Sequence, residues 1–326
     1  MHARSASGHS SEAPPHGGAP FVRVLRRIST TVLSARWLKP LHRAARALLG
    51  VSRAPGALTA SEHHPAGRRC AEAEDVIVLS ANLGHDWPLH RQMHRRLEVL
   101  AQRIEAERAN VVLLQEVSRT QSLWVDRYLA ERLGMDYFYT RANGHRASIG
   151  FEEGLGVFSC LPLRSVQTRP LTGSGSMAHR LALGAELQTG AGPLWVFSAH
   201  LSMRPRRNAR QVRDLQDWVG DVAGRATAVV GGDFNAHETA PQMIRARQSW
   251  LDVFRLLNPE ADGATHILRW PWGRPLRKVR LDYLFLRLGE PTWRVIESRL
   301  LGGLGEPHSD HHAVMARLRP VPVTVG

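Results

Sequence analysis

Short apolar runs recur along the chain from residue 75 to residue 319, and they constrain the fold more than any other feature. Each run is rich in Val, Ile, Leu and Phe and stops at a polar residue or a glycine, which is typical of buried β-strands. Many strands with few helices between them favour an α/β (α+β) chain with mixed sheets and helices outside over a doubly wound parallel fold. The clearest runs are VIVLSAN (76–82), NVVLLQEV (110–117), GLGVFSC (154–160), PLWVFSAH (193–200), ATAVVGGDF (226–234), LDYLFL (281–286) and HHAVMARL (311–318).

The segment after the first strand shows helical spacing of its apolar residues. We expect this helix to begin at Asp86 or Trp87, with Pro88 in its first turn. The apolar positions are Leu89, Met93, Leu97, Leu100 and Ile104.

Several strands also begin or end with a carboxylate, an amide or a histidine. An unpaired buried polar group is costly, so each of these groups needs a partner. We therefore expect the strand ends to converge and to partner one another and an ion. The residues are Asn82, Glu116, His200, Asp233, Asn235, Asp282, Asp310 and His311.

The residue types at these ends indicate a hard cation. Four of them are carboxylates, two are amides and none is a thiolate, and such oxygen donors favour Mg²⁺ or Mn²⁺ over Zn²⁺. Mg²⁺ held by one or two carboxylates is the usual arrangement for chemistry on phosphate esters. The histidines beside it can donate a hydrogen bond to a phosphoryl oxygen or transfer a proton.

The ordered set of motifs resembles the endonuclease/exonuclease/phosphatase superfamily over about residues 75–319. The resemblance implies the DNase I-like fold, a four-layer sandwich of two mixed β-sheets flanked by helices, and a metal-dependent phosphodiesterase. The motifs that carry the resemblance are SANLGH, LLQEV, EGLGVFSCLPL, FSAHLS, GGDFNA, RLDYLFL and SDHHAV.

The same resemblance implies roles for the metal and water sites. Glu116 looks like the principal metal ligand, with Asn82 and Asp310 acting through the ion or its waters. Asp233 resembles the residue that orients or deprotonates the attacking water, and Asn235 the one that donates its amide to the scissile phosphate.

Three more residues acquire roles in this way. His311 would donate to a non-bridging oxygen, Asp282 would hold the His311 ring in the right tautomer, and His200 would bind the phosphate or assist proton transfer. The implied reaction is in-line attack of water on phosphorus. The other reading of the fold, a catalytically silent binding module, is disfavoured because the whole residue set is present.

The glycines of GGDFNA (231–236) call for a separate explanation. We expect Gly231 and Gly232 to let the chain turn at the strand end and to bring backbone close to the phosphate. The two-residue step from Asp233 to Asn235 places both side chains on one side of an extended segment, with Phe234 in the core.

The substrate is less constrained than the reaction. In ILRWPWGRPLRKVR (267–280), Trp270 and Trp272 lie among cations, which suits single-stranded nucleic acid or a lipid–water interface; the rings can also pack back on the sheets.

Arg204 follows FSAHLS, where it is either a phosphate contact or a solvated helix start. Thr265 falls where family members often carry a threonine near the site, or is a turn hydroxyl. The cations of the loop are Arg269, Arg274, Arg277, Lys278 and Arg280.

The net charge of +14 favours a polyanionic partner, although charges spread over a solvated surface would also explain it. We expect a nuclease acting on DNA or RNA, with endo or exo action left open. SANLGH lacks the WN pair typical of exonuclease III-type repair enzymes, which disfavours an abasic-site endonuclease. The alternative is a sphingomyelinase-like phospholipid phosphodiesterase at a membrane surface.

The composition changes near residue 75 and predicts two regions, 1–74 and 75–320. Residues 1–20 predict disorder, and 50–74 a linker. Residues 21–49 predict a basic amphipathic helical segment that would lie on an anionic membrane or pack on the rest of the protein; a mispredicted start is the third alternative.

We expect a monomer. We also expect a cytoplasmic protein, because the chain shows no apolar run of membrane-spanning length and no secretory signal. Peripheral contact with a membrane stays open.

Cys70 and Cys160 form no CxxC pair, and we expect two reduced thiols, with a single disulfide as the alternative.

Overall fold

The computed structural model describes residues 58–60, 70, 74–86, 89–173, 179–269, 274–302 and 307–322. The chain divides into two compact units, Met1–Ala45 and Arg46–Gly326, and the described residues belong to the second. The amphipathic segment predicted over 21–49 lies outside the described residues. The division into regions 1–74 and 75–320 stays a prediction.

The strands and helices follow the apolar runs closely. The strands are β1 Leu58–Ala60, β2 Val76–Asn82, β3 Val111–Thr120, β4 Asp136–Gly144, β5 Phe151–Ser159, β6 Leu163–Pro170, β7 Leu181–Thr189, β8 Gly192–His200, β9 Ala228–Asp233, β10 Leu251–Asp252, β11 His266–Arg269, β12 Pro275–Val279, β13 Asp282–Arg287, β14 Trp293–Leu301 and β15 Ala313–Pro320. The helices are α1 Met93–Ala106, α2 Val125–Leu133, α3 Arg146–Ile149, α4 Pro205–Ala223, α5 Pro241–Ala246 and α6 Val253–Leu257. Among the described residues, no helix is long and apolar enough to cross a bilayer.

Within the described ranges, the strands form two large mixed sheets and a hairpin. The seven-stranded sheet has the order β1-β4-β5-β3-β2-β15-β14, and the six-stranded sheet has the order β10-β13-β9-β8-β7-β6. The pairs β2–β3 and β8–β9 are parallel. A parallel pair needs a long crossover, which α1 supplies in the first sheet and α4 in the second. β11 and β12 pair separately.

This topology places the polar strand ends together. The parallel strands of each pair end at the same edge of their sheet. β15 runs antiparallel to β2, and β13 runs antiparallel to β9, so each begins where its neighbour ends. The register sets His200 beside Asp233, and Asp233 beside Asp282, on three adjacent strands.

Alternating side chains on the two sheets produce three apolar layers. Val78 of the first sheet and Leu284 of the second belong to one cluster, which fills the space between the sheets. Leu79, one residue further along β2, belongs to the cluster that includes α1 and α2. Phe197 of β8 packs with the apolar face of α4. The predicted four-layer sandwich is confirmed.

Close packing, not a turn, explains the two glycines before Asp233. Both lie inside β9, which corrects the expectation that they turn the chain at its end. A Cβ on Gly231 would lie 2.7 Å from Leu113 Cδ1 and 2.8 Å from Leu284 Cδ2, in the layer between the sheets. A Cβ on Gly232 would lie 2.0 Å from the carbonyl oxygen of Ala199 on β8.

The first helix begins later than the apolar spacing predicts. α1 starts at Met93, and Leu89 is 65% exposed. The backbone explains the difference, because Asp86, His90 and Gln92 all have positive φ angles that a right-handed helix excludes. Trp87 and Pro88 lie outside the described residues.

The predicted linker contributes to the described structure in two ways. Residues 58–60 form the edge strand β1, which pairs with β4. Cys70 forms a disulfide with Cys160, with the two Cα atoms 5.4 Å apart. The expectation of two reduced thiols is therefore wrong, because tertiary structure brings together cysteines that are 90 positions apart in the sequence.

The glycine contacts predict a graded loss of stability. Gly232→Ala should lower the free energy of unfolding by about 3 kcal/mol or more, because backbone has to move. Gly231→Ala should cost about 1–3 kcal/mol, because the opposing atoms are side chains. Gly190→Ala is the matched control, since its Cβ would meet nothing within 4 Å. Urea denaturation checks the order; equal stability of the 232 and 190 variants would contradict it.

Candidate active site

The polar strand ends of the two sheets meet, and Asn82 joins them. Asn82 Nδ2 donates to Asp233 Oδ2 in the other sheet at 3.0 Å and to Glu116 Oε1 on the adjacent strand at 3.3 Å. Asn82 Oδ1 accepts the Gly84 N–H at 2.9 Å, which fixes the orientation of the amide. The side chain is buried, and its bonds link two of the predicted site carboxylates.

Glu116 lies at a β-bulge that aims its side chain. The register between β3 and β5 shifts between Leu114 and Val117, and Glu116 has a φ angle of 56°. A residue held in this uncommon conformation at a bulge is often a functional one. The carboxylate is partly exposed and accepts the backbone N–H of His85 at 3.1 Å. The His85 ring nitrogen Nε2 lies 3.5 Å from the same carboxylate.

The Asp233 carboxylate accepts three hydrogen bonds within the site. Its Oδ1 accepts the Asn235 N–H at 2.8 Å, and its Oδ2 accepts from Asn82 and from Asn235 Nδ2 at 3.1 Å. Burial, followed by the neighbouring Asp282 charge, raises the pKa of Asp233 to about 7. The raised pKa makes this carboxylate more basic than an exposed aspartate, which suits a group that accepts a proton.

Asn235 donates both of its amide hydrogens inside the protein. Besides the bond to Asp233, its Nδ2 donates to the Leu201 carbonyl at 3.0 Å. Its φ angle of 48° lies in the left-handed region that asparagine tolerates. In this arrangement Asn235 positions Asp233, and a bond to a phosphate would require it to exchange one of these two acceptors.

Asp282 and His311 form a buried ion pair. His311 Nδ1 donates to Asp282 Oδ2 at 2.8 Å, and the Thr265 hydroxyl donates to the same oxygen at 2.5 Å. Burial opposes protonation of the ring, but the Asp282 carboxylate outweighs it and raises the pKa of His311 to about 10. His311 is therefore a cation at neutral pH, with Nδ1 committed to Asp282 and Nε2–H left to donate.

His200 is held in the opposite protonation state. Arg180 Nη1 lies 3.1 Å from His200 Nδ1, and a guanidinium cannot accept a hydrogen bond, so Nδ1 is the acceptor. The remaining proton is then on Nε2, which lies 3.5 Å from Asp233 Oδ2. Burial, followed by the Arg180 charge, holds the pKa of His200 well below its usual range. His200 is thus a neutral donor that faces Asp233.

Acidic and histidine side chains at this edge could hold a metal ion. Among the described residues, two groups have three donor atoms within 4.8 Å of one another: Asp233 with Asp282 and His311, and His266 with Asp310 and His311. Glu116 and Asp310 are the more exposed acids, and they approach the same turn after Asn82. A Cβ on Gly84 in that turn would lie 2.5 Å from Asp310 Oδ1. Exposed oxygens of this kind suit Mg²⁺, which keeps several waters.

Three residues near these groups had no predicted role. Arg180 and His85 contact His200 and Glu116, as described above. Glu153 is buried and accepts a hydrogen bond from Asn143, and burial, followed by the Glu116 charge, raises the pKa of Glu153. A signal existed for Glu153, which stands in the EGLGVFSC motif at the start of a buried strand, and for His85, which ends the SANLGH motif.

The predicted substrate residues are not part of this contact network, apart from Thr265, which is buried and holds Asp282. Arg204 is exposed just before α4, and Arg274 is exposed beside β12. Trp270 and Trp272 lie outside the described residues. Arg280, one of the loop cations, is buried and pairs with Asp252 at 2.6 Å, so it stabilises the fold and is not available to a substrate.

A comparison with protein families matches residues 79–311 to the model described as "Endonuclease/Exonuclease/phosphatase family". The match spans more than half of the chain and includes every strand end of the site. A comparison with curated proteins gives no match.

Solved structures of similar fold include an endonuclease/exonuclease/phosphatase family protein from Leptotrichia buccalis C-1013-b, at 18% identity and a TM-score of 0.61, covering 75% of this chain and 99% of that one. An endonuclease/exonuclease/phosphatase from Beutenbergia cavernae DSM 12333 is 23% identical, with a TM-score of 0.61 and coverage of 77% and 73%. D. rerio TDP2 complexed with single strand DNA product is 16% identical, with a TM-score of 0.61 and coverage of 76% and 100%. At these identities the likeness shows the fold alone.

The ion pair predicts how His311 titrates. In Asp282→Asn the main charge that favours the imidazolium is gone, so the pKa of His311 should fall from about 10 towards or below its ordinary value of 6.5. Between pH 7 and 10 the ring would then be neutral in the variant and charged in the wild type. NMR titration of the ring protons measures this. Asp221→Asn, at an exposed position on α4, is the control; a His311 pKa that stays near 10 in Asp282→Asn would contradict the pairing.

Proposed function

This chain belongs to the endonuclease/exonuclease/phosphatase family and is a hydrolase of phosphoester bonds, and we propose that it cleaves the phosphodiester backbone of nucleic acid with the aid of Mg²⁺ or Mn²⁺. The observation that carries the proposal is the environment of Asp233. A carboxyl group with a pKa of about 7 lies beside one neutral histidine, while a charged histidine pairs with the adjacent Asp282. Water attack on phosphorus needs a proton acceptor and a cationic donor placed together in this way.

Glu116, with Asp310 and Asn82, would hold the metal ion. The partly exposed Glu116 carboxylate and the exposed Asp310 carboxylate supply hard oxygen ligands. When bound, the ion supplies positive charge to the phosphoryl oxygens as negative charge builds up on them.

Asp233 would accept the proton of the attacking water. Three N–H donors from Asn82 and Asn235 fix its orientation, so the carboxylate needs no rearrangement as the reaction begins. Because burial raises its pKa, Asp233 is a stronger base than an exposed aspartate.

His311 would stabilise the negative charge of the transition state. Its Nδ1 is committed to Asp282, so the charged ring can donate only from Nε2. His200 would add a neutral hydrogen bond, from Nε2, to Asp233 or to a phosphate oxygen beside it. One cation and one neutral donor can thus meet the reacting phosphate without a second buried positive charge.

Charge favours nucleic acid as the substrate. The chain carries a net charge of +14, and Arg274, Arg277 and Lys278 are exposed on the β12 side of the hairpin. One protein of similar fold, D. rerio TDP2, was solved with a single strand DNA product. The alternative, a phospholipid phosphodiesterase, is supported by the basic amphipathic pattern of residues 21–49.

The full-length protein should hydrolyse DNA or RNA in Mg²⁺, and EDTA should stop the reaction until Mg²⁺ is restored. Glu116→Gln removes the ligand charge and should lower turnover by at least about 10²-fold. Glu131→Gln, at an exposed position on α2, is the matched control. Single-stranded DNA, double-stranded DNA, RNA and sphingomyelin-containing vesicles are compared under the same conditions.

The outcomes separate the possible functions. Hydrolysis of vesicles alone would overturn the nuclease proposal in favour of the phospholipid alternative. Binding of nucleic acid without hydrolysis of any substrate would indicate a silent binding module. Wild-type turnover in Glu116→Gln would remove Glu116 from the metal site.

A further inference from the structure

A basic cavity opens beside the proposed catalytic site. Its volume is about 970 Å³, and Asp310 and His311 form part of its wall. Another wall is a face of α1, and the third is the side of the β11–β12 hairpin that carries Ile267 and Lys278. A group in this cavity would therefore be a direct neighbour of a phosphate bound at His311.

The helix wall is cationic along its length. Arg96, Val99 and Arg103 fall at spacings of three and four, and Arg95 lies four positions before Val99, so all four border the same side of α1. Arg96 donates to the carbonyls of Gly84, at 2.8 Å, and His308, at 2.9 Å, and Arg103 donates to the ring nitrogen Nδ1 of His308 at 2.8 Å. These acceptors are neutral, and the bonds hold the guanidinium groups in place. The Asp310 carboxylate nearby offsets part of the charge of Arg96.

The hairpin wall adds a fourth cation. Lys278 is exposed, and its ammonium group lies 3.3 Å from the exposed carboxylate of Asp262. A surface pair of this kind contributes little to stability and can be exchanged for a bound anion. The acids of the cavity wall are Asp262 and Asp310, so its cations are in excess.

We propose that this cavity is a second phosphate subsite, which holds the phosphate group next to the scissile one on a nucleic-acid strand. The inference rests on the proposed function and identifies the substrate class more narrowly. A phosphodiester lipid such as sphingomyelin has one phosphate, which the reaction itself uses, so it offers nothing to this cavity. A nucleic-acid strand supplies a phosphate at every nucleotide, and the cavity has room for a nucleotide unit.

The test compares substrates that differ by one phosphate. Dinucleotides with and without a terminal phosphate, at the 5′ end in one pair and at the 3′ end in another, are hydrolysed in Mg²⁺. Bis(p-nitrophenyl) phosphate, which has a single phosphate, reports the chemistry alone. The wild type should prefer one phosphorylated dinucleotide over its unphosphorylated partner by about tenfold in kcat/KM, which is the size of a charge-assisted contact.

The variant Arg95→Gln/Lys278→Gln should lose most of that preference. Arg95→Lys/Lys278→Arg, which conserves both charges, should keep it. Arg213→Gln/Arg245→Gln removes the same charge from exposed positions on α4 and α5 and should also keep it, which separates the subsite from the general charge of the protein.

The experiment gives different results if the subsite proposal is wrong and if the proposed function is wrong. Hydrolysis of bis(p-nitrophenyl) phosphate without any preference for a terminal phosphate would overturn the subsite and leave the function standing. A preference that persists in Arg95→Gln/Lys278→Gln would also overturn it. If no substrate is hydrolysed, the proposed function fails, and the same substrate pairs are compared by Kd in EDTA. Equal Kd values for the phosphorylated and unphosphorylated members would then overturn the subsite.

Discussion

The hydrogen bond from Asn82 to Asp233 connects the carboxyl ends of strands in two different sheets, and the rest of the site is arranged around it. Asn82 ends β2 and Asp233 ends β9, so this bond can form only if both strands reach the same place. The β9 glycines make that possible, because side chains at those positions would meet Leu113 across the sheets and the Ala199 carbonyl on β8. The close packing of the β9 glycines in the core therefore also sets the position of Asp233, the proposed base.

Charge balance among buried groups is the second constraint. Two acids, Asp233 and Asp282, face each other across adjacent strands, and one imidazolium, His311, offsets them. The raised pKa of His311 contributes stability that is fully present below about pH 6.5 and is lost as the pH rises through about 10. The raised pKa of Asp233 also makes stability fall as the pH rises, in this case between the ordinary value of 3.8 and about 7, because a buried acid is ionised over that range. The site therefore gives up some stability at neutral pH to keep a carboxylate basic.

The sequence predicted the strands and the polar residues at the strand ends because both depend on local pattern. A run such as VIVLSAN shows its burial by its apolar residues and its position at the site by the terminal asparagine. Arg180 gave no such signal. The role of His85, which stands in the SANLGH motif, was not predicted either, since both roles come from contacts with His200 and Glu116 that only the folded chain creates. Backbone conformation also gave no signal in the sequence. Residue type predicts neither the late start of α1 nor the left-handed backbone conformation of Glu116. The glycines were located correctly but explained wrongly, because their neighbours come from other strands.

The most direct measurement is kcat for bis(p-nitrophenyl) phosphate at saturating Mg²⁺ in the wild type and in Asp233→Asn. The substitution keeps the volume of the side chain and removes its basicity, and urea denaturation shows whether the variant is folded. If Asp233 takes the proton of the attacking water, kcat should fall by about 10²–10⁴-fold. A folded variant with kcat within a factor of about two of the wild type would contradict this mechanism.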